Sequence, residues 1–416
     1  MASSYRTFSE KACSVESVER DLLDMQANNT SPERGCFTTY MHRGSDELSK
    51  LRLNAYKLFA HNNAVLAGYE PGLKKMQEEV QQMAVDILNG GADGLANITS
   101  GGTESIFCAM HAAREWARFE RPTRSTPEVV IPYSAHPAFD KSCHYLGMKV
   151  VRVPIGQDLR ADVSAMAAAI NENTIALAGS SPCWPYGLID PIEDLAAIAR
   201  KHNLWMHSDG CVGGFINPWL EELGMALPCW DFRVPGVRSM SADLHKHGYA
   251  SKPCSIVAYR SEREQRYHWT PVYSWPAGKY STSGFMGSRS GGSLATAWAV
   301  MKNLGKEGYV ALARRSLEVK RRLVQGIEAI EDFKCLKNHS TMIFYGSETL
   351  DMFAVLSGFS ERGYFPLGVL NPVLVQITAE PVEDDRLIDK YLADLAEIAA
   401  GVKNGSITAA AIARYV

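Results

Sequence analysis

No apolar run in the 416-residue sequence approaches the roughly 18 residues that a membrane-crossing helix needs, so no such helix is expected. The N-terminal stretch MASSYRTFSEKACSVESVERDLLDM scatters charges and has no apolar signal core, which points to a cytoplasmic protein. There is no basic surplus either. Lys and Arg number 43 against 46 Asp and Glu, a net charge of −3, and a phosphate backbone would go unneutralised, so nucleic acid is a poor partner. The nine cysteines, at positions 13, 36, 108, 143, 183, 211, 229, 254 and 335, are odd in number and form no C-x-x-C pair. That argues against a disulfide framework or a structural zinc site, and they read as small hydrophobes with no metal expected. No G-x-G-x-x-G turn joins a first strand to a helix, and no Gly-Lys-Ser/Thr follows the glycine-rich stretch. A dinucleotide dehydrogenase and a P-loop enzyme both lose support.

What is present is a large buried core and a regular alternation. Hydrophobic residues make up 46% of the chain, enough for one large domain and a smaller one. Residues 1–55 are polar and irregular, an N-terminal arm. PGLKKMQEEVQQMAVDIL (71–88) spaces Leu73, Met76, Val80, Met83 and Ile87 as a helix does. Strands are then expected at 128–132, 149–155, 174–181, 204–209, 237–243 and 254–260, with helices at 103–118, 138–146, 162–170 and 192–202 between them. Short apolar strands separated by amphipathic helices predict an α/β domain (56–305), a mostly parallel sheet flanked by helices. Beyond it, two long helical runs, strand-like STMIFYGS and NPVLVQIT, and a late helix predict a smaller C-terminal α+β domain (306–416).

Four stretches bear chemistry. ITSGGTES (98–105) stands where a strand feeds a helix. Free backbone N–H groups and the positive helix end suit a phosphate, with Gly101 and Gly102 permitting close approach and Thr103 or Ser105 adding a hydroxyl. Taken alone it reads more readily as an ordinary glycine-rich turn with a Ser/Thr helix cap. In WMHSDG, Asp209 ends an apolar strand, at the edge where open α/β sheets bind ligands, as a partner for a cation or as a cap. His136 in SAHPAFDKS opens a helix and could stack on a flat ligand. In SADLHKHGYASKP (241–253), Lys246 lies between His245 and His247 at a further strand end. A lysine beside histidines in a pocket is expected to have a lowered pKa, which favours imine formation. Together the four fit pyridoxal 5'-phosphate, which needs a phosphate cradle, a carboxylate on its ring nitrogen, a Schiff-base lysine and a stacking group.

TSGGTESI, AHPAFDK, GSSPCWPYGLIDPI, HSDGCVGGF, DFRVPGVRSMSADLHKHGYASK and GSRSGG, taken together over about residues 35–380, resemble the fold-type I pyridoxal-phosphate enzymes. They are most similar to the sphingosine-1-phosphate lyase group, related to the group II amino-acid decarboxylases. The resemblance implies Lys246 as the Schiff-base lysine, Asp209 on the pyridine nitrogen and His136 stacked on the ring. Gly102 and Thr103 would hold the phosphate with His245 nearby, and Ser181 and His207 would line the pocket. Gly287 and Ser288 would come from the neighbouring subunit of a homodimer with a shared active site. Tyr40, Asn63 and Lys252 would face the polar head of a small amine or amino-acid substrate.

The expected reaction is carbon–carbon cleavage of a β-hydroxy amine in the retro-aldol sense, with α-decarboxylation of an amino acid as the alternative. Two positions depart from the lyase pattern. NAVLAGYEPGL carries Leu66 where the lyases carry a histidine associated with substrate phosphate and proton transfer, and Leu244 replaces a threonine before His245. The substrate therefore differs from sphingosine 1-phosphate. A non-catalytic homologue would have lost Lys246 or Asp209; both are present.

Overall fold

The computed structural model describes residues 11–27, 29, 37, 42–365 and 367–409, with backbone alone at 66 and 67. Seven strands form the main sheet: β1 (Leu95–Thr99), β2 (Glu128–Pro132), β3 (Lys149–Val153), β4 (Thr174–Ser180), β5 (Trp205–Asp209), β6 (Val237–Ala242) and β7 (Ser255–Tyr259). Their order is β1-β7-β6-β5-β4-β2-β3. The β3-β2-β4-β5-β6 run is parallel, and β7 is antiparallel to both β6 and β1. β2, β4, β5 and β7 are buried along their whole length, as expected of strands covered on both faces. Val130, Leu177, Met206, Met240 and Ile256 pack on one face, and Val129, Ile131, Ile175, Trp205 and Val257 on the other. Each such side chain contributes about 1.5–3 kcal/mol on burial.

The arm is more regular than its composition implies. Val15–Ala27 and Asp46–Leu58 are both helices. The first buries nothing within the chain. The second starts on Ser45, whose side chain accepts the N–H of Leu48 at 3.1 Å, and Asp46 and Glu47 sit in its first turn.

Gly291–Glu328 runs as one long helix broken at Gly305, whose φ of 52° and ψ of −168° lie outside the helical region. It leads to a four-stranded antiparallel sheet made of β8 (Lys334–Cys335), β9 (Met342–Gly346), β10 (Leu367–Leu370) and β11 (Val373–Thr378), in the order β10-β11-β9-β8. Ile343, Tyr345, Val375 and Ile377 face the helices of this unit. Met342, Phe344 and Val369 face the other way, against Cys183, Tyr186, Leu188 and Val212 from the loops beyond β4 and β5. The small sheet thereby braces the C-terminal edge of the large one.

Candidate active site

At that edge lies a cavity of about 380 Å³, lined among others by Gly102, Thr103, His136, Asp209, Asp243, His245 and Lys246. The β1 strand ends in a turn whose N–H groups open the 19-residue helix Gly102–Glu120, so the positive end of a helix dipole faces this space. Position 102 is tight for any side chain. A Cβ there would stand 2.6 Å from Cys211 Sγ and 3.0 Å from both carboxylate oxygens of Asp243.

Asp209 terminates β5 and is buried. Its Oδ1 accepts the hydroxyl of Ser241 at 2.7 Å and the N–H of Cys211 at 3.1 Å. The strand period explains the rest of its support. Residues two apart share a face, and the parallel register pairs His207 with Ser239 and Asp209 with Ser241. Ser241 gives its proton to Asp209, so His207 Nε2, 3.3 Å away, donates to Ser241. His207 Nδ1 then accepts from Ser239 at 2.8 Å, and Ser239 accepts the indole N–H of Trp205, also at 2.8 Å. Burial lowers the His207 pKa to about 4, which keeps it neutral and fixes this direction.

Lys246 Nζ is 2.9 Å from Asp243 Oδ2. Burial pushes the lysine toward its neutral form, but the attraction of the buried Asp243 carboxylate and the hydrogen bond to it outweigh burial, and the pKa is raised. This corrects the lowered value expected from the flanking histidines. Asp243 is in turn held low: burial opposes ionisation, but Lys246 and His245 favour it. Its Oδ1 accepts the Ser255 hydroxyl at 2.6 Å, with Ser105 on Ser255 at 2.9 Å and Thr99 on Ser105 at 2.6 Å. A buried hydroxyl row thus ties the first turn of the cradle helix to the partner of Lys246.

His136 is partly buried beside the same cavity, and burial lowers its pKa. Its Nδ1 accepts the N–H of Ala138 at 3.1 Å, so the neutral ring carries its proton on Nε2. Arg152 on β3 holds the preceding loop, donating to Tyr133 O and Ala135 O, each at 3.0 Å, while pairing with Asp140. His245 stacks its Cε1 toward Gly101 and accepts the N–H of Cys254 on Nδ1 at 3.2 Å.

Not every expected residue reaches the cavity. Ser181 and His207 do not line it. The Ser181 hydroxyl is fully buried against Ser208 at 2.9 Å, and His207, on the same face as Asp209 but two residues back from the strand end, is fully buried between Ser239 and Ser241. Gly287 and Ser288, expected to serve the neighbouring subunit's site, lie outside the cavity of their own chain, with Ser288 Oγ accepting from Asn63 Nδ2 at 2.9 Å. Lys252 is also absent from the lining; burial is the largest cause of its lowered pKa. Leu244 is fully buried in the core. Tyr40 and the Leu66 side chain lie outside the described residues. Asp243 was legible as a residue but not as a partner of Lys246. The signal was its spacing, three residues before the lysine in a turn. A second groove of about 550 Å³ adjoins the cavity across His136 and Trp184, reaching Val369 and Leu370 on β10.

The donor set fits a phosphorylated pyridine aldehyde. Gly102 and Thr103 would take the phosphate on backbone N–H groups, Asp209 the ring nitrogen, His136 a ring face and Lys246 the aldehyde carbon.

A family model described as the pyridoxal-dependent decarboxylase conserved domain matches residues 41–345. Sphingosine-1-phosphate lyase of Arabidopsis thaliana is 35% identical over 403 residues, covering 94% of this chain and 73% of that protein. A probable L-tyrosine/L-aspartate decarboxylase of Methanothermobacter thermautotrophicus is 31% identical over 347 residues, covering 83% and 93%. The solved structure of a Burkholderia pseudomallei sphingosine-1-phosphate lyase superposes with a TM-score of 0.90 at 33% identity, covering 97% of this chain and 94% of that one. With the cradle, the carboxylate and the lysine on one cavity, these likenesses make pyridoxal phosphate the cofactor and lyase chemistry the activity. The chain belongs to the pyridoxal-dependent decarboxylase family, alongside the sphingosine-1-phosphate lyases.

Proposed function

We propose that this lyase cleaves a carbon–carbon bond of a β-hydroxy amine in the retro-aldol sense, with Lys246 as the residue that binds the cofactor covalently. One observation carries the assignment of roles: Asp209, Lys246 and the N-terminus of the cradle helix converge on a single cavity. Bound pyridoxal phosphate supplies an electron sink for the pair left on carbon. The protein's part is to keep that sink cationic and to manage protons. Asp209, fed by Ser241 and the Cys211 N–H, presents a fixed anion where the ring nitrogen would lie. Asp243 Oδ2 anchors the Lys246 ammonium, which must pass a proton to substrate or solvent before Nζ acts as a nucleophile. His136, which lines the same cavity, offers a proton from Nε2.

The similarity to lyases from several kingdoms supports the retro-aldol reading over α-decarboxylation. Leu66 supports a substrate other than sphingosine 1-phosphate. A homodimer with Gly287 and Ser288 completing the partner's site is part of the same reading. A cytoplasmic location completes it.

The test begins with absorbance of the purified protein with pyridoxal phosphate, where a band lost in Lys246→Ala is expected. β-Hydroxy amines should then yield aldehyde; carbon dioxide from amino acids as the main product would establish the decarboxylase instead. Mixing Lys246→Ala with Ser288→Glu subunits should restore activity in hybrids. No recovery would exclude the shared site.

A further inference from the structure

Glu104 is a carboxylate in a place built for an anion. It lines the cavity, stands on the first turn of the cradle helix and is buried to 9% exposure. Its charge is consumed by three backbone donors. Oε2 accepts the N–H of Ser100 at 2.6 Å, in the turn that opens the helix. Oε1 accepts the N–H of Phe285 at 2.7 Å and of Met286 at 3.2 Å, some 180 residues further along the chain. Position 284 must be glycine for this approach, since a Cβ there would fall 2.6 Å from Oε1. One helical turn on, Phe107 meets Phe285 edge-to-face with ring centroids 5.2 Å apart.

The segment so gripped is otherwise lightly held. Val272 and Tyr280 exchange a single pair of backbone bonds, His268 Nε2 reaches Ser283 O at 3.1 Å, and Tyr273, Trp275 and Phe285 are largely exposed. We propose that Glu104 is a positioning residue through which occupancy of the phosphate cradle orders the aromatic segment 269–286. A phosphate on the N–H groups of the Gly102 turn immobilises the backbone that carries Glu104. The two carboxylate oxygens transmit that order to Phe285 and Met286. Linkage makes the effect reciprocal: the ordered segment strengthens cofactor binding by the factor by which the cofactor orders the segment. This inference rests on the cradle taking the cofactor phosphate.

Lys279, in the exposed tip of the segment, is a trypsin site that reports its order. Cleavage there is followed with pyridoxal phosphate bound and after its removal, with pyridoxal, which lacks the phosphate, as a control. In the wild type, pyridoxal phosphate should slow cleavage about tenfold, within the range of site-to-site coupling, and pyridoxal should not. In Glu104→Gln, Oε1 can still accept while the amide nitrogen cannot take the Ser100 N–H. That variant should still show the cofactor's absorbance, with a raised Kd and protection below about twofold. Gly284→Ala, which crowds Oε1 from the far side, should uncouple the two in the same way should Glu104→Gln fold poorly. Full protection in both variants overturns the proposal, as does equal protection by pyridoxal. A wild type that never develops cofactor absorbance sinks the underlying site assignment instead.

Discussion

The ammonium of Lys246 and the carboxylate of Asp243 lie 2.9 Å apart in a turn, three residues separated in sequence, with the carboxylate almost wholly buried. An isolated buried lysine would be poised as a free amine; this one is held charged. The sign follows from both shifts. The raised lysine pKa contributes stability that is complete below the unfolded value of about 10.4 and lost as pH rises through the folded one. The lowered aspartate pKa contributes stability present above about 3.9 and lost as pH falls through its folded value.

Asp243→Asn should therefore cost about 2 kcal/mol in urea unfolding at pH 7, because it leaves a partly buried cation without its nearest counter-charge. It should also move the pH at which Lys246 reacts with pyridoxal phosphate downward, since the strongest influence opposing burial would be gone. An unchanged pH profile would mean that Asp243 does not govern this lysine.

Ser241→Ala removes one charge-assisted bond from Asp209 and strands His207 Nε2. A loss of about 1.5–3 kcal/mol at such a bond corresponds to a rise in cofactor Kd of roughly ten- to hundredfold. Equilibrium titration of the cofactor's absorbance measures it, with the covalent bond to Lys246 retained.

Gly102→Ala forces a methyl group against Cys211 Sγ and the Asp243 carboxylate. Cofactor binding should fall about five- to hundredfold, by the roughly 1–3 kcal/mol typical of overpacking. The double variant with Cys211→Ala should recover part of it, because the shorter of the two collisions is relieved. Dissociation constants of the two variants decide the matter.

Glu380 follows β11 and faces His42, whose Nδ1 is 2.8 Å from its Oε1, together with His247 and Lys252. Burial raises its pKa to about 8, with His247 and Lys252 opposing; His247 is itself pushed down to about 3 by burial and stays neutral. Between the unfolded value of about 4.3 and the folded one, the native state binds the extra proton, so stability should decline as pH rises, by on the order of 1 kcal/mol per unit. Glu380→Gln should flatten that decline. Melting temperatures at pH 5 and pH 8 for both proteins provide the check.

Much of this was legible in the linear sequence. The strand at 128–132 and the helix at 138–146 fall where periodicity put them, because fully buried runs and amphipathic faces have unambiguous periods. Gly102, His136, Asp209 and Lys246 share one cavity because parallel strands deliver their ends to one edge. The helix Asp46–Leu58 was hidden because only Leu48 and Ala55 are buried and no apolar stripe forms; Ser45 followed by two acidic residues was the overlooked start signal. The reading of Lys246 failed for a different reason. Chain neighbours of a turn residue point elsewhere: His247 turns to His42 and Glu380, while Asp243 comes back to meet the amine. His207 shares the face of Asp209, but two residues back from the strand end it is fully buried and meets Ser239 and Ser241 rather than the cavity.

The row from Trp205 through Ser239, His207 and Ser241 to Asp209 is a one-way street for hydrogens. None of its members can turn round without stranding an indole or taking the hydroxyl from the acid at its end. A substitution at Ser239 is thus felt at Trp205 on one side and at the acid on the other, so lineages that alter this serine are expected to alter the tryptophan with it.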